Sequence, residues 1–206
     1  MMNNLSTGIY SSGTAYGGNQ IGGLQLLVAD DGTGTVGGIV SSTYTWWKNK
    51  FETELASSGD TSWASDVYGG KNLRRSVNKL HIKCTIGSEK PDLYVLTNDL
   101  WELYQSDLQD RQRFMDASKA TAGFQTIAGP DGVPIIHDLN ASGGFTGDMG
   151  YALNTKYLYL VEHPDARWGA ESERTPLDQD GVAIPYYWMG QMICTSRRHQ
   201  GFLNDA

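Results

Sequence analysis

Only two cysteines occur in 206 residues, Cys84 and Cys194, too few and too far apart for a disulfide framework. They are expected to be free, buried thiols of a reducing compartment. Long apolar runs are missing as well. The longest, Val182 to Gly190, is about half of the ~20 residues that a membrane-spanning helix needs. The N-terminus, Met1 to Gly8, has neither the basic start nor the apolar stretch of a secretory signal, so the expected compartment is cytosolic. Positive charge is in deficit: 16 Lys plus Arg stand against 23 Asp plus Glu, a formal net charge of -7. That balance disfavours a partner held mainly by phosphate contacts, which need clustered cations. Catalytic signatures are absent too, with no Gly-x-Ser-x-Gly elbow, no phosphate-binding Gly-x-x-x-x-Gly-Lys-Ser/Thr loop and no His-Glu-x-x-His helix. No internal repeat is present.

What is abundant is glycine, 25 residues, together with 11 Tyr and 6 Trp. Glycine at this level implies many turns. The aromatic content excludes a disordered chain, because disordered sequences lack the apolar groups that offset ordering entropy. Residues 21–29 read as an apolar, strand-like stretch that ends in the acidic turn Asp30-Asp31-Gly32. Tyr44 to Trp47 is aromatic and β-branched and suits a strand or packed extended segment, with Trp46 and Trp47 as core anchors.

From Gly70 the period changes. Leu73, Val77, Leu80 and Cys84 follow at spacings of four, three and four, which predicts one apolar helix face backed by Lys71, Arg74, Arg75 and Lys79. Gly87 and Pro91 end it, Asp92 to Leu96 reads as a strand, and Thr97 or Asn98 can cap a second helix from Asp99 to about Leu108. On that helix Leu100, Leu103, Tyr104 and Leu108 share a side. The state of Arg111 to Phe124 is open. Phe124 to Ala128 and Val133 to His137 read as a hairpin about the turn Gly129-Pro130-Asp131-Gly132. Further strands are expected at Lys156 to Val161 and, buried, at Tyr186 to Thr195, before an Arg197-Arg198-His199 tail. The fold class is therefore α+β, with Leu73, Val77, Leu80 and Leu100 as core anchors.

Candidate chemistry is sparse. His81, His137, His163 and His199 are scattered, and His137-Asp138 points to opposite sides of a strand. Asp30-Asp31-Gly32 and Asp178-Gln179-Asp180-Gly181 lack the terminal Glu of a calcium loop and read as turns. Trp46, Trp47 and Trp63 leave open a second reading, a carbohydrate- or surface-binding module without catalysis that stacks aromatic faces on its ligand. No cofactor, metal or catalytic residue is expected.

The order of segments carries a resemblance. Ile21-Gly22-Gly23-Leu24-Gln25, Thr35-Val36-Gly37-Gly38-Ile39 and Tyr44-Thr45-Trp46-Trp47-Lys48-Asn49 come first. Lys90-Pro91-Asp92-Leu93, Tyr104, Gln112-Arg113-Phe114, Lys119 to Phe124 and Leu153-Asn154-Thr155-Lys156-Tyr157-Leu158 follow. Together, over about residues 20–203, they resemble the major capsid protein of tailed bacteriophages. The resemblance implies a tailed-phage capsid fold: an axial domain at 68–150, a peripheral-domain segment with N-terminal loops at 1–67, and return strands at 151–206. It implies a structural protein rather than an enzyme. The partners it implies are other copies in pentamers and hexamers, packaged DNA only by weak, non-specific proximity, and no membrane. The implied location is the virion capsid, and the host cytoplasm during assembly. Family members carry an N-terminal arm, an extended loop and a spine helix ahead of the Ile21 segment, so the chain is expected to correspond to the C-terminal portion. Assembly contacts are expected at Arg111, Arg113, Lys119, Asn140 and Asp148, which lie in polar, Gly-rich or Arg-bearing segments after core elements.

Overall fold

The computed structural model describes residues 8–14, 20–53, 69–109, 127–141, 148–175 and 181–205. The 4-3-4 spacing becomes a helix, Gly69–Cys84, which buries Leu73, Val77, Leu80 and Cys84 completely. A second helix, Asn98–Gln109, buries Leu100 and Tyr104 against it. The short helix Leu24–Leu27 precedes both, so the three are α1 (Leu24–Leu27), α2 (Gly69–Cys84) and α3 (Asn98–Gln109). Arg74 Nε on α2 reaches Asp107 Oδ2 on α3 at 3.2 Å. Thr97, a candidate cap, instead ties the start of α3 to the sheet. Its hydroxyl donates to Asp148 Oδ1 at 3.1 Å and accepts the Met149 N–H at 3.3 Å.

Strands β1 (Thr35–Val36) and β2 (Ile39–Val40) pair with each other, and the sheet beneath the two long helices has six strands: β3 (Lys50–Thr53), β4 (Leu93–Leu96), β5 (Ile127–Ala128), β6 (Pro134–His137), β7 (Asp148–Leu153) and β12 (Gly201–Asp205). Their order is β3-β12-β7-β4-β6-β5. β12 runs parallel to β3 and antiparallel to β7, and β4 runs antiparallel to β7 and parallel to β6. Side chains alternate across a strand, so each inner strand supplies two cores. Tyr94, Leu96, Ala152 and Leu203 face α2 and α3. Val95, Tyr151, Leu153 and Phe202 face a second core with Tyr10, Leu24, Leu27 and Val28. The hairpin of β5 and β6 closes through Gly129-Pro130-Asp131-Gly132. Asp131 sits there at φ 55, a left-handed position that Asp tolerates better than most residues. Lys90 Nζ at 3.1 Å and His81 Nε2 at 3.4 Å hold its carboxylate and pull its pKa down.

Three expectations need correction. Residues 21–29 do not extend as a strand. Gly22 and Gly23 let the backbone pass against residues 8–11, where the Gly23 N–H donates to Ser11 O at 2.9 Å and a Cβ on Gly23 would lie 2.1 Å from Ile9 O. The chain then coils into α1, which puts Leu24 and Leu27 on one buried side. Second, Trp46 is not a core anchor. Thr45–Trp47 forms a 3₁₀ turn, in which successive side chains point about 120° apart, so Trp47 buries at 8% exposure while Trp46 is 58% exposed.

Third, residues 197–199 are no solvated tail, and 186–195 is no buried strand. Arg197 is fully buried. Its Nε donates to Leu27 O at 2.7 Å, and its Nη2 donates to Asn49 Oδ1 at 3.0 Å and to Thr33 O at 3.2 Å. Burial lowers its pKa, and among the described residues no carboxylate pairs with it. Three accepting oxygens replace a counter-ion, which is how a buried guanidinium is tolerated. β12 follows, with Gly201 so close to α2 that a Cβ would stand 2.8 Å from Cys84 Sγ.

Both cysteines are free and buried. Burial pushes the Cys84 thiol up to about 12, with Lys50 and Lys83 acting the other way, and burial also raises Tyr10, Tyr94 and Tyr151. A group raised on folding contributes stability that is complete below its unfolded pKa, ~8.5 for a thiol, and is lost as pH rises towards the folded value. The folded chain is therefore expected to resist iodoacetamide at Cys84 at pH 8 until denaturant is added. Urea midpoints are expected to fall between pH 8 and pH 11, and to fall less in Cys84→Ala, which cannot ionise. Rapid alkylation of native Cys84 would show that the α2–β12 contact is open.

Candidate assembly surface

Between β7 and β12 the chain leaves the sheet and returns. β8 (Leu158–Glu162) pairs antiparallel with β11 (Gly190–Cys194) in the register Tyr159↔Ile193 and Val161↔Gln191. The ladder is carried outward by His163 N–H to Met189 O at 2.9 Å and Met189 N–H to Ala166 O at 3.1 Å. It continues through β9 (Gly169–Ala170) on β10 (Tyr186–Tyr187) and a last bridge between Arg174 and Ala183. The result is one long two-stranded ribbon. Aromatic rings lie over its glycines: a Cβ on Gly169 would fall 2.0 Å from the Tyr187 ring, and one on Gly190 would fall 2.4 Å from Trp188. Trp168 and Trp188 pack at 6.0 Å between centroids, and Trp188 Nε1 donates to Glu162 Oε1 at 2.8 Å.

Nothing among the described residues covers the ribbon. No residue in 155–175 or 181–193 is buried. Tyr159, Leu160 and Val161 are consecutive and each is about half exposed, so solvent meets both faces. Trp168, Tyr186, Tyr187 and Met189 extend the apolar surface outward. Only its base is anchored, by Leu158, Met192 and Cys194 against the second core and by Gln191 Oε1 accepting the Gly22 N–H at 3.2 Å. A lone hairpin is marginally stable in water at best, and clustered exposed apolar groups mark docking surfaces.

Of the contact residues expected from sequence, the structure describes two, Asn140 and Asp148. Arg111, Arg113 and Lys119, and Trp63 with them, lie outside the described residues. Asn140 is half-buried in the turn after β6, where its N–H donates to Asp138 Oδ1 at 2.9 Å; Asp138 Oδ2 in turn accepts the Tyr10 hydroxyl at 2.9 Å. Asp148 begins β7 and accepts from Thr97. The histidines do not converge: His81 bonds Tyr94 at 2.8 Å, His137 lies against Trp101, and His199 stacks on Tyr157. Among the described residues, no group of three His, Cys, Asp or Glu side chains is placed to hold a metal ion. No helix of the described residues is long and apolar enough to cross a membrane. The ribbon went unrecognised in sequence because its apolar residues read equally well as a buried strand. The one available signal was its content of Glu, Asp and Arg between the two strands.

No family model and no curated protein matches the chain. Among solved structures, it is similar to a chain of the capsid of Myoviridae phage XM1, at 15% identity and a TM-score of 0.46, covering 77% of this chain and 52% of that one. It is likewise similar to a chain of the capsid of an empty GTA particle, at 12% identity and a TM-score of 0.45, covering 95% of this chain and 59% of that one. The chain thus spans somewhat over half the length of either.

If the ribbon is a free docking surface, its apolar groups add nothing to the fold of the isolated chain. Leu160→Ser and Tyr186→Ser are expected to change the free energy of unfolding by less than about 0.5 kcal/mol. Phe202→Ala, in the core between β3 and β7, is expected to cost about 3–5 kcal/mol. Urea denaturation followed by circular dichroism compares them, and a core-sized loss in the ribbon variants would show that it packs on its own domain.

Proposed function

We propose that the chain is a structural, non-catalytic subunit of an icosahedral phage-type capsid shell, acting through contacts with copies of itself. The observation that carries this reading is the ribbon of β8 to β11, a long apolar projection that the described residues of its own domain leave bare. A shell subunit needs surfaces of that kind, since repeated contacts between copies hold the shell together without a cofactor. The ordered run of segments from Ile21 to Leu158 that resembles tailed-phage coat proteins supports the same reading, as does the net negative charge, which suits a wall that does not trap packaged DNA through phosphate contacts.

In this reading the virion capsid is the site of action, the host cytoplasm is where assembly occurs, and α2, α3 and the sheet between β4 and β7 form the axial part. Arg111, Arg113 and Lys119 contribute to contacts around the five- and six-fold axes. Asn140, in the turn after β6, and Asp148, at the start of β7, contribute to the same contacts. Peptide mass spectrometry on a sedimented lysate of the source is the direct test. Peptides of this chain are expected in a megadalton, DNA-containing fraction, and their confinement to slowly sedimenting fractions would overturn the shell reading. In assembling material, charge reversal at Arg111 plus Arg113 is expected to reduce particle yield; unchanged yield would remove those residues from the contact.

A further inference from the structure

The ribbon bears charge as well as apolar surface. Its described residues include Glu162, Asp165, Glu171 and Glu173 against Arg167 and Arg174, a balance of 2 − 4 = -2. Glu162 pairs with Arg167, and Glu171 with Arg174. The carboxylates of Asp165 and Glu173 have no cation beside them among the described residues. Elsewhere, an open groove of about 520 Å³ runs along β3 and is lined by Lys48, Lys50, Phe51, Glu52 and Lys83. Lys83 Nζ is taken by Glu52 at 2.7 Å. Lys48 and Lys50 carry no ion pair among the described residues, although Lys48 is near enough to Asp31 to help lower that carboxyl's pKa. The groove therefore holds the opposite surplus, 3 − 1 = +2, carried by two lysines against the ribbon's two free carboxylates.

The surroundings of the groove match the rest of the ribbon. Among the described residues β3 is an edge strand, with β12 as its one neighbour in the six-stranded sheet. Phe51 on that edge is exposed, and Tyr44 and Trp46, in edge-to-face contact at 6.2 Å, are exposed a few residues away in the chain. Aromatic surface beside a free strand edge is what an extended apolar ribbon can dock on. Lysines on the edge also oppose pairing with an identical edge.

We propose that the ribbon of one copy docks in the β3 groove of the next, with Asp165 and Glu173 set against Lys48 and Lys50. The proposal rests on the shell reading and names the contact within it. Two occupants compete for the ribbon, another ribbon or the groove, and charge decides between them. Ribbon on ribbon sets -2 against -2, and like charges across an interface repel. Ribbon on groove sets -2 against +2. Area is compatible: the ten large apolar side chains exposed on the ribbon are shared between two faces, so one face offers on the order of 500 Å², or ~1,000 Å² over both partners, which is the lower bound of a specific interface. A contact between two different patches is head-to-tail, so it generates rings or larger closed arrays rather than stopping at a dimer.

A charge swap in the full chain tests the contact by sedimentation velocity at low salt, with circular dichroism confirming that each variant is folded. The unaltered chain is expected to associate with rising concentration. Lys48→Glu with Lys50→Glu, and separately Asp165→Lys with Glu173→Lys, are each expected to weaken association at least tenfold. Combining all four in one chain is expected to restore it to within about threefold, which a merely disturbed surface would not do. Loss of association in both pairs without recovery in the combined chain would overturn the pairing. Unchanged association in both pairs would overturn it while leaving the shell reading in place, and a chain that stays monomeric yet is absent from sedimenting particles would remove both.

Discussion

Phe202 and Leu203 are neighbours on β12, yet they bury in different cores, because adjacent side chains of a strand point to opposite faces. That strand lies between β3, from the first quarter of the chain, and β7, from the last third, and hydrogen-bonds to both. Without it β3 has no partner among the described residues and the sheet stops at β7. Its fit to α2 is equally tight, since Gly201 is held where the helix leaves no room for a side chain. The rest of the molecule depends on this insertion: α2 and α3 pack on a sheet whose width β12 completes, and α1 packs on its other side.

Arg197 belongs to the same constraint. Four residues before β12 its guanidinium is driven into the layer beneath the sheet and bonds carbonyl oxygens at Leu27 and Thr33 and the Asn49 side chain. Asn49 also donates to Ala29 O at 2.7 Å. One buried cation thus ties the turn after α1, the start of β3 and the approach to β12 into a single unit. The cost of removing that charge from water is offset by hydrogen bonds that only the folded arrangement supplies. The ribbon leaves and re-enters the domain through this region, from Asn154 to Arg197. Its base is therefore fixed, whereas its outer part is free for a partner.

Charge is distributed in the same way. Several ionisable groups serve the fold: Asp131 at the surface is held by Lys90 and His81, and Asp107 by Arg74. Asp165 and Glu173 on the ribbon and Lys48 and Lys50 at the β3 groove carry no ion pair among the described residues and are opposite in sign. No cluster of titratable groups among the described residues suggests chemistry on a substrate.

Local pattern alone determined the two long helices, β4 and the hairpin turn, because each depends on the spacing of apolar residues or on a Gly-Pro-Asp-Gly cluster that acts within a few residues. It also determined that Cys84 shares the buried face with Leu73, Val77 and Leu80. The rest depended on contacts distant in sequence. Tyr159, Leu160 and Val161 have the composition of a core strand, and only the tertiary structure shows that no layer of the described residues lies over them. Gly201 to Asp205 has the composition of a chain end, yet it occupies the middle of the sheet, because strands distant in sequence leave a gap of its width. Arg197 reads as a surface residue from its charge, and its burial was decided by carbonyl oxygens more than 160 residues away. Trp46 and Trp47 differ in nothing but position, and a single 3₁₀ turn sent one inward and the other to solvent.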